Sequence, residues 1–293
     1  MEQMRFITAD GILDLRPVAD YQSGHLKEST SMPFESLFES LNQLPAPPAE
    51  LFLVGDKDQI DTATLFLDAK GYEVKGSLVF QNHEDIDFWS QQLTEFWCSG
   101  KESKMLWKPS SVVQEFAANW LSELQGRMPE KQRPLVLDIG CGGGRDAVFL
   151  AKQRTQVVAI DKESRVLKRA KELARASGAQ LQFKCCDLKQ ASCIPEEVKG
   201  RHFDVIVGVR YLNRELLPQL KKQLAPGGYL LWQTFVDIGE PIESPKNPNF
   251  LLKQGELQQV FSGFEMIVDR IQRLDDGRPL NTFIARKPLG DDK

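Results

Sequence analysis

The sequence predicts an α/β protein of two domains, the second of which is built on a mostly parallel β-sheet. Its 293 residues are about twice the length of a typical domain. Short apolar runs alternate with helix-length segments along most of the chain, a pattern typical of parallel strands joined by helices. Hydrophobic residues make up 41% of the sequence and charged residues 27%, so each half can bury a core.

The composition argues against several classes of protein. A formal net charge of −4 provides no overall attraction to nucleic acid or to an acidic membrane. No apolar run approaches the roughly 20 residues that span a bilayer, and the first residues lack the layout of a signal peptide. We therefore expect a soluble, cytoplasmic protein, with a nuclear location still open, that binds neither nucleic acid nor membranes.

The cysteines predict a reducing compartment. Their number is five, which is odd, and their spacing is not that of metal ligands, so we expect neither a disulfide framework nor a metal site. Cys185, Cys186 and Cys193 form the one cluster. We interpret them as unpaired small residues, buried or half-buried on and after a strand, with metal binding as the lesser alternative.

The first domain is predicted from three apolar runs, at 11–15, 51–54 and 78–80, and a helix-like segment at 61–69. Between residues 82 and 109 the sequence becomes irregular and aromatic, which we interpret as a connector that packs partly on one or both domains. The predicted boundaries are a first domain at 1–97, a linker at 98–110, a second domain at 111–288 and a tail at 289–293.

Seven strands are predicted in the second domain, at 135–139, 157–160, 181–185, 203–209, 229–235, 264–271 and 282–286. The first five are nearly continuous apolar runs separated by helix-length segments, as in a parallel sheet covered on both faces. One such helix, at 162–177, has an apolar stripe and ends before Gly178. Asp276-Gly277 is a turn signal between the last two strands, so the last strand is expected to be antiparallel.

The stretch VLDIGCGGGRDAVFLA begins with the end of a predicted buried strand, continues with a loop that contains four glycines, and ends in a predicted helix. Such a loop lets backbone N–H groups approach a ligand, but glycines alone do not distinguish a dinucleotide from other ligands. Asp138 precedes the loop, and Asp161 and Asp187 end the next two strands. Asp138 would repel a pyrophosphate but can accept hydrogen bonds from an ammonium group or from amides of the loop. Asp161 suits ribose hydroxyls and Asp187 the amine of adenine.

These residues resemble the class I S-adenosylmethionine-dependent methyltransferases from about residue 112 to 287, through DIGCGGG, AIDKE, CCDL, FDVIVG and LAPGGYLL. The resemblance implies a Rossmann-like sheet of seven strands. It also implies that Gly140, Gly142 and Gly144 wrap the methionine part of the cofactor, Asp161 the ribose and Asp187 the adenine. GCGGGRDAVFLA and NPNFLLKQGEL further resemble the tellurite-resistance-B and thiopurine-type branch. The full set of expected cofactor-binding residues is Asp138, Gly140, Cys141, Gly142, Gly144, Asp146, Asp161, Lys162, Asp187, Leu188 and Val209.

Other interpretations remain open for several of these residues. Asp161 and Asp187 are also residues of the type that caps helices. Asp146, just inside its helix, either favours the helix N-terminus electrostatically or helps to hold the cofactor. The basic residues on the predicted helix after Asp161 lack the aromatic partners of a nucleic-acid groove, so we interpret them as a solvated face.

The acceptor side is expected after the fourth strand, at the carboxyl edge of the sheet. Arg210, Tyr211 and Asn213 are the candidates for positioning the substrate, and Arg214 is a further candidate for binding an anion. Tyr211 can orient a nucleophile or shield a sulfonium, or it can simply pack beneath the next helix. The long segment 236–252 is expected to be a substrate-binding loop, or else a variable surface insertion.

The first domain resembles the rhodanese-like domains over residues 5–80, through ILDLRPVADYQSGHL and the strand, loop and helix that follow. Active members carry a cysteine at a junction where this sequence has Val54 or Gly55. Asp56, Asp58 and Asp61 also make the loop acidic, which opposes an anion cradle. We therefore expect no sulfurtransferase activity, unless a remote thiol such as Cys98 replaces the missing one. His25 is expected to be structural.

Together these observations predict an S-adenosylmethionine-dependent methyltransferase with a small-molecule or soft-nucleophile acceptor and a catalytically degenerate rhodanese-like domain. One alternative is a protein methyltransferase that uses the rhodanese-like domain to bind its partner. Others are a non-catalytic S-adenosylmethionine-binding interaction protein and a nicotinamide-dependent oxidoreductase on a similar fold.

Overall fold

The protein divides into two compact units, Met1–Lys108 and Pro109–Lys293. The computed structural model describes residues 6–81, 84–190, 193–194, 198, 200–242 and 244–290. The boundary between the units falls within the segment predicted as a linker. None of the helices in the described residues has the length and apolar character needed to cross a lipid bilayer.

The first unit contains a four-stranded parallel sheet and a separate two-stranded ribbon. Its strands are β1 (Gly11–Asp14), β2 (His25–Leu26), β3 (Ser29–Ser31), β4 (Ala49–Gly55), β5 (Tyr72–Val79) and β6 (Trp97–Cys98). Its α-helices are α1 (Val18–Ser23), α2 (Phe34–Leu37), α3 (Lys57–Asp68) and α4 (Glu84–Gln92), with short 3-10 helices at Leu41–Gln43 and Thr94–Phe96. The sheet order is β3-β1-β4-β5, and β2 pairs antiparallel with β6.

The central strand β4 explains how this unit buries its core. Leu51 and Leu53 belong to one hydrophobic cluster, whereas Phe52 and Val54 belong to another. Because successive side chains of a strand point to opposite faces, a continuous apolar run covers both faces of the sheet. The chain then enters α3, where the side chain of Asp56 accepts hydrogen bonds at the helix N-terminus.

The first half of the predicted linker packs along the edge of this sheet. The Tyr21 hydroxyl donates to the Glu102 carbonyl over 2.6 Å. The Lys104 N–H donates to the Ser29 carbonyl over 3.0 Å, and the Thr30 hydroxyl donates to the Lys104 carbonyl over 2.7 Å. Backbone groups along an edge strand need partners, and this segment supplies them to β3. Helix α4 likewise lies where an irregular connector was predicted.

The second unit contains the larger sheet. Its strands are β7 (Leu135–Ile139), β8 (Gln156–Asp161), β9 (Gln182–Cys185), β10 (Phe203–Val209), β11 (Leu224–Asp237), β12 (Leu252–Lys253), β13 (Glu265–Arg273) and β14 (Pro279–Arg286). Its α-helices are α5 (Ser111–Asn119), α6 (Leu121–Gly126), α7 (Arg145–Lys152), α8 (Ser164–Ala176), α9 (Leu217–Gln223) and α10 (Glu256–Val260), with a 3-10 helix at Pro248–Phe250.

The main path of this sheet runs β13-β14-β11-β10-β7-β8-β9, and β12 pairs with β11 outside that path. Strand β14 is antiparallel to both of its neighbours, and the other pairs on the path are parallel. The predicted mixed α/β sheet is thus confirmed. Successive strands lead away from β7 on one side and from β10 on the other. Ligands of open α/β sheets bind in the crevice at such a reversal, outside the carboxyl ends of the strands.

Packing on both faces of this sheet follows from its apolar strands. Val136 and Val207 lie in one hydrophobic cluster, and Leu137 and Ile206 lie in the other. The predicted apolar stripe of helix α8 is buried at Leu167, Ala170, Leu173 and Ala174 and half-buried at Val166. The remaining face of α8 is largely exposed, which agrees with a solvated basic surface.

The prediction of unpaired cysteines is wrong for two of the five. Cys186 and Cys193 form a disulfide, and their Cα atoms are 5.7 Å apart. A turn in which the Gln190 N–H donates to the Asp187 carbonyl brings the chain back on itself between them. Cys98, Cys141 and Cys185 are free, and the last is exposed.

Candidate functional site

The loop between β7 and α7 is held against the end of β8. The N–H groups of Gly140 and Cys141 both donate to the Ile160 carbonyl, over 2.8 and 3.0 Å. Gly140, Gly142 and Gly144 have φ values of 66°, 53° and 81°, a region that side chains other than glycine rarely adopt. The glycines therefore allow the chain to fold tightly at the carboxyl edge of the sheet.

Two of these glycines have opposite surroundings. A Cβ atom at Gly140 would lie 2.8 Å from Cδ2 of Tyr211, so the ring closes one side of the loop. A Cβ atom at Gly142 would meet no described atom within 4 Å. The loop is thus packed behind Gly140 and open above Gly142, which leaves room for a ligand to approach the backbone.

Asp161 joins the loop to the end of β8. One of its carboxylate oxygens accepts the Gly142 N–H over 2.9 Å, and the other accepts the Glu163 N–H over 3.0 Å. Glu163, not Asp161, occupies the N-cap position of α8. Each oxygen retains a further lone pair, so the half-buried carboxylate can still accept hydrogen bonds from two hydroxyl groups.

Asp138 is a buried carboxyl group whose hydrogen-bonding capacity is not filled. It is 2% exposed, and its Oδ2 atom has no hydrogen-bond partner among the described residues. Burial raises its pKa well above the usual value, and the charges of Asp146 and Asp161 act in the same direction. A buried polar atom without a partner is costly, so this oxygen is a place where a cationic donor would be stabilised.

Asp146 connects the loop region to the chain before α5. Its Oδ1 atom accepts the Ser110 N–H over 2.6 Å. It lies in the first turn of α7, where a carboxylate interacts favourably with the helix N-terminus. Burial raises the pKa of Asp146, although the hydrogen bonds from Ser110 oppose this shift. The structure thus places Asp146 at the N-terminus of α7, where it also bonds the chain before α5.

The remaining predicted cofactor-binding residues differ in their surroundings. Asp187 is half-buried after β9, and one of its oxygens accepts the Lys189 N–H over 3.1 Å. Leu188 is buried in the main hydrophobic cluster. Lys162 is exposed, and its ammonium group lies 3.8 Å from a carboxylate oxygen of Glu163. Burial raises the pKa of the Cys141 thiol, so it stays protonated. Val209 is half-buried at the end of β10.

Tyr211 lies against the glycine loop and near Asp161 and Asp187, the acidic residues at the ends of β8 and β9. Burial raises the pKa of the Tyr211 hydroxyl, and the charges of Asp187 and Asp161 raise this pKa further. A hydrogen bond with the side chain of Asn213 lowers it in part. Its ring also makes an edge contact with Trp232. Asn213 additionally accepts the Glu215 N–H through its side chain, so it shapes the turn after β10.

Arg210 is exposed and adopts a strained backbone conformation at the end of β10. Its φ value is 52°, which is uncommon for a residue other than glycine. Its N–H donates to the Gln233 carbonyl over 2.7 Å, and its guanidinium lies 5.9 Å from the centre of the Phe235 ring. The side chain is therefore directed to the carboxyl side of β11, next to the long loop that follows.

Arg214 is not the anion-binding residue that the sequence suggested. It forms a two-fold ion pair with Glu256, at 2.6 and 2.9 Å. It also donates to the carbonyls of Asn249 and Leu251, over 3.1 and 2.6 Å. These partners occupy the guanidinium, so Arg214 fastens the loop that leads back to β12. The sequence did not reveal this role, because an arginine and its partners about 40 residues later carry no local signal.

Gln233 is a site residue that the sequence analysis missed. It lies near the end of β11, is buried, and donates to the hydroxyls of Ser111 and Thr282 over 2.8 and 2.7 Å. It thereby joins the start of α5 to β14. The signal was a lone amide within the apolar strand LLWQTF, where a buried polar side chain requires partners.

In the first unit, the junction at which the sequence analysis compared this chain with active rhodanese-like domains is buried. Val54 is fully buried at the end of β4, and Gly55 is followed by the side-chain cap of Asp56. His25 is also buried, but it does more than support a turn, since its ring contacts the thiol of Cys98.

Residues 136–228 match a protein family described as "Methyltransferase domain". The match identifies an S-adenosylmethionine-dependent methyltransferase domain in the second unit, and S-adenosylmethionine is accordingly the cofactor. The match spans the glycine loop, β8, β9 and β10, which carry most of the candidate site.

Relatives extend beyond this segment. An uncharacterized protein of Schizosaccharomyces pombe is 26% identical and covers 94% of this chain and 93% of its own length. A ubiquinone biosynthesis O-methyltransferase of Agrobacterium fabrum is 28% identical over 52% of this chain, which spans 63% of that enzyme. Among solved structures, TehB from Haemophilus influenzae is 20% identical, with a TM-score of 0.46 over 66% of this chain and 68% of that one.

The residues at the site fit this cofactor. S-adenosylmethionine carries an ammonium group, a ribose and an adenine amine. The unpartnered oxygen of Asp138 suits the ammonium group, the open backbone at Gly142 leaves space, and Asp161 and Asp187 supply acceptors. None of these groups forms a cradle for a phosphate.

Proposed function

We propose that the protein transfers a methyl group from S-adenosylmethionine to a small-molecule or soft-nucleophile acceptor at the carboxyl edge of the second sheet. The observation that carries the proposal is the buried Asp138 oxygen without a described partner beside an open glycine loop. A nicotinamide dinucleotide has no ammonium group to pair with Asp138, and its pyrophosphate would be repelled by the ionised form of this carboxyl group.

In this proposal each strand end binds one part of the cofactor. Asp138 accepts a hydrogen bond from the ammonium group, Asp161 from the ribose hydroxyls and Asp187 from the adenine amine. Asp161 is already oriented by its two backbone donors, so little side-chain entropy is lost on binding. Leu188 and Val209 contribute apolar surface beside the adenine.

The bound cofactor supplies an activated methyl group on a positively charged sulfur. The protein then has to hold the acceptor in line with that group and exclude water, and orientation alone can contribute roughly 7–11 kcal/mol. Tyr211 is the residue we assign to this task, since it lies against the loop and its hydroxyl faces the acidic strand ends. Asn213 positions that hydroxyl. A soft acceptor such as a thiol needs no dedicated base on the enzyme.

The acceptor enters, in this proposal, between the end of β10 and the loop 238–251. Arg210 reaches this side without a described ion pair of its own, and the loop is fastened at Arg214, Arg273 and Arg278. Arg210 would favour an anionic acceptor, in keeping with the resemblance to the tellurite-resistance-B and thiopurine-type branch. The similarity to an O-methyltransferase also makes hydroxyl groups candidate acceptors.

The first unit is proposed to be a rhodanese-like domain without the family's catalytic cysteine. Its parallel sheet and the buried Val54 at the junction support this assignment. A protein partner bound there would make the protein methyltransferase alternative the correct one.

Titration calorimetry with S-adenosylmethionine, S-adenosylhomocysteine and NAD tests the cofactor, with Asp138→Asn as the matched variant. We expect micromolar binding of the first two and none of NAD; a preference for NAD would overturn the proposal. A panel of thiols, chalcogen oxyanions, phenols and proteins with methyl-labelled cofactor then tests the acceptor. Tight binding without labelling of any acceptor would indicate a non-catalytic binding protein.

A further inference from the structure

The first unit contains a cysteine and a histidine in contact. Sγ of Cys98 lies 3.2 Å from Nε2 of His25. The two residues face each other in the antiparallel ribbon of β2 and β6, although 73 positions separate them in the sequence. Cys98 is partly exposed, whereas His25 is buried at 2% exposure. A small molecule can therefore reach the sulfur, while the ring behind it is shielded.

The hydrogen bonds of His25 determine which of its nitrogens is free. Nδ1 lies 2.7 Å from the backbone carbonyl of Tyr21. A carbonyl can only accept, so Nδ1 carries a proton and, in the neutral ring, Nε2 has a free lone pair. That lone pair points at the Cys98 thiol. The ring is also held by stacking on Tyr21, with 3.8 Å between the ring centres and 11° between the planes.

A nucleophile next to a base that a third group orients is the arrangement by which enzymes activate weak nucleophiles. Cys98, His25 and the Tyr21 carbonyl have this arrangement. Burial raises the pKa of the Cys98 thiol, Lys27 lowers it and Glu102 raises it. The hydroxyl of Tyr21 is directed elsewhere, to the Glu102 and Ser29 carbonyls. The thiol thus keeps its proton at rest and depends on His25 to lose it.

We propose that Cys98 is a nucleophilic thiol that exchanges with small disulfides, with His25 as its proton acceptor and donor. Nε2 of His25 takes the thiol proton, and Sγ attacks one sulfur of the disulfide. An Sγ–S bond forms as the original S–S bond breaks, and the departing thiolate takes the electron pair of that bond and the proton from His25. Cys98 is oxidised and the small disulfide is reduced, so no other reactant is needed.

The sequence favours a lasting mixed disulfide as the product. Cys98 is the single cysteine among residues 1–108. No second thiol of the first unit can displace the attached group, so its removal requires a thiol from outside this unit. Cys98 would therefore keep one attached group until another thiol displaces it. It is independent of the methyltransferase proposal, since none of its residues belongs to the second unit.

The test follows two thiols of the full-length protein at once. Hydroxyethyl disulfide is added at pH 7, and mass spectrometry of tryptic peptides gives separate rates for Cys98 and for the exposed Cys185, which serves as the internal reference. His25→Asn keeps a donor for the Tyr21 carbonyl but removes the base. We expect the ratio of the Cys98 rate to the Cys185 rate to fall by about 100-fold, the lower end of what a positioned acid–base group contributes.

Iodoacetamide provides a second arm, since its leaving iodide needs no proton. We expect His25→Asn to slow alkylation less than disulfide exchange. An unchanged rate ratio in both reactions would overturn the proposal, and Cys98→Ser confirms the peptide assignment.

The wild-type protein alone supplies a measurement that does not depend on the folding of a variant. An unassisted thiol gains about tenfold in rate per pH unit below its pKa, because only the thiolate reacts. We expect the rate at Cys98 to rise less steeply than the rate at Cys185 between pH 6 and 8. Parallel slopes for the two cysteines would overturn the assignment of His25 as proton acceptor.

Discussion

The ring of Tyr211 lies so close to Gly140 that a Cβ atom at position 140 would stand 2.8 Å from Cδ2 of the tyrosine. The glycine loop after β7 and the chain after β10 are thereby locked together at the centre of the sheet edge. This contact links the predicted cofactor loop to the predicted acceptor side, and the predictions that follow test that edge residue by residue.

Gly140→Ala should lower the free energy of unfolding of the second unit by about 1–3 kcal/mol. The new Cβ atom would clash with the ring of Tyr211, and alanine is strained in the left-handed backbone conformation of this position. The measured quantity is the midpoint temperature of the thermal unfolding transition that shifts upward when S-adenosylmethionine is added. Adding Tyr211→Ala removes the contact but not the backbone strain. A double-mutant cycle should therefore show coupling of about 0.5–3 kcal/mol between the two positions. Strictly additive effects would contradict the contact.

Asp161→Ala should weaken S-adenosylmethionine binding by about 1.5–3 kcal/mol, or roughly 10- to 150-fold, because a charged acceptor is lost. Asp161→Asn should have a smaller effect, since one oxygen remains for the Gly142 N–H. Calorimetry gives both dissociation constants. Glu163→Ala is the control, because it removes an adjacent exposed charge. Equal affinities for Asp161→Ala and this control would assign Asp161 a purely local role in the turn.

Binding of S-adenosylmethionine should release a proton from Asp138. Burial raises the pKa of this carboxyl above 3.8, so the empty site holds the proton at pH values where an exposed aspartate is ionised. An ammonium ligand favours the carboxylate, so affinity should rise with pH through that window. The empty protein should lose stability over the same window, since only the unfolded chain ionises freely there.

Calorimetry at a series of pH values above the usual range of an aspartate, in two buffers of different ionisation enthalpy at each pH, measures the proton release by Asp138. Asp138→Asn cannot release a proton and should give the same binding enthalpy in both buffers, after correction for other groups. Equal enthalpies for the wild-type protein would contradict the prediction.

Arg214→Ala should free the loop 238–251 while leaving the affinity for S-adenosylmethionine unchanged. The substitution removes a two-fold ion pair and two bonds to loop carbonyls, none of which touches the glycine loop. Hydrogen exchange of the loop should accelerate, and the KM of the acceptor should rise. Arg273→Ala is the matched control, since its pairing with Glu240 is largely exposed and contributes at most about 1 kcal/mol. Equal exchange in both variants would remove Arg214 from this role.

The sheet of the second unit could be predicted closely because its signals are local. The run at 203–209 coincides with β10, and that at 135–139 coincides with β7. Both strands are buried on both faces, so nearly every residue in them is apolar. The carboxylates at 138, 161 and 187 could be found for a related reason, because each lies within two residues of the end of a strand that the sequence predicts.

Features that depend on distant partners could not be predicted. The bond of Arg214 to Glu256 and the contact of His25 with Cys98 join residues 42 and 73 positions apart. The polar segment around Glu102 and Lys104 reads as a linker, because the strand whose backbone it satisfies lies far away in the sequence. Asp146 was ambiguous until its partner, the Ser110 N–H, was located.

The segment that covers β3 has a consequence for how the first unit can meet other proteins. An uncovered edge strand is a template for a strand from another chain, and residues 102–104 already occupy that place. The opposite edge, β5, carries Glu73 and Lys75 in an ion pair, and its register with β4 is interrupted. Charges and irregular register both discourage strand addition. We therefore expect a partner of this unit to bind its side chains and helices, and not to add a strand to its sheet.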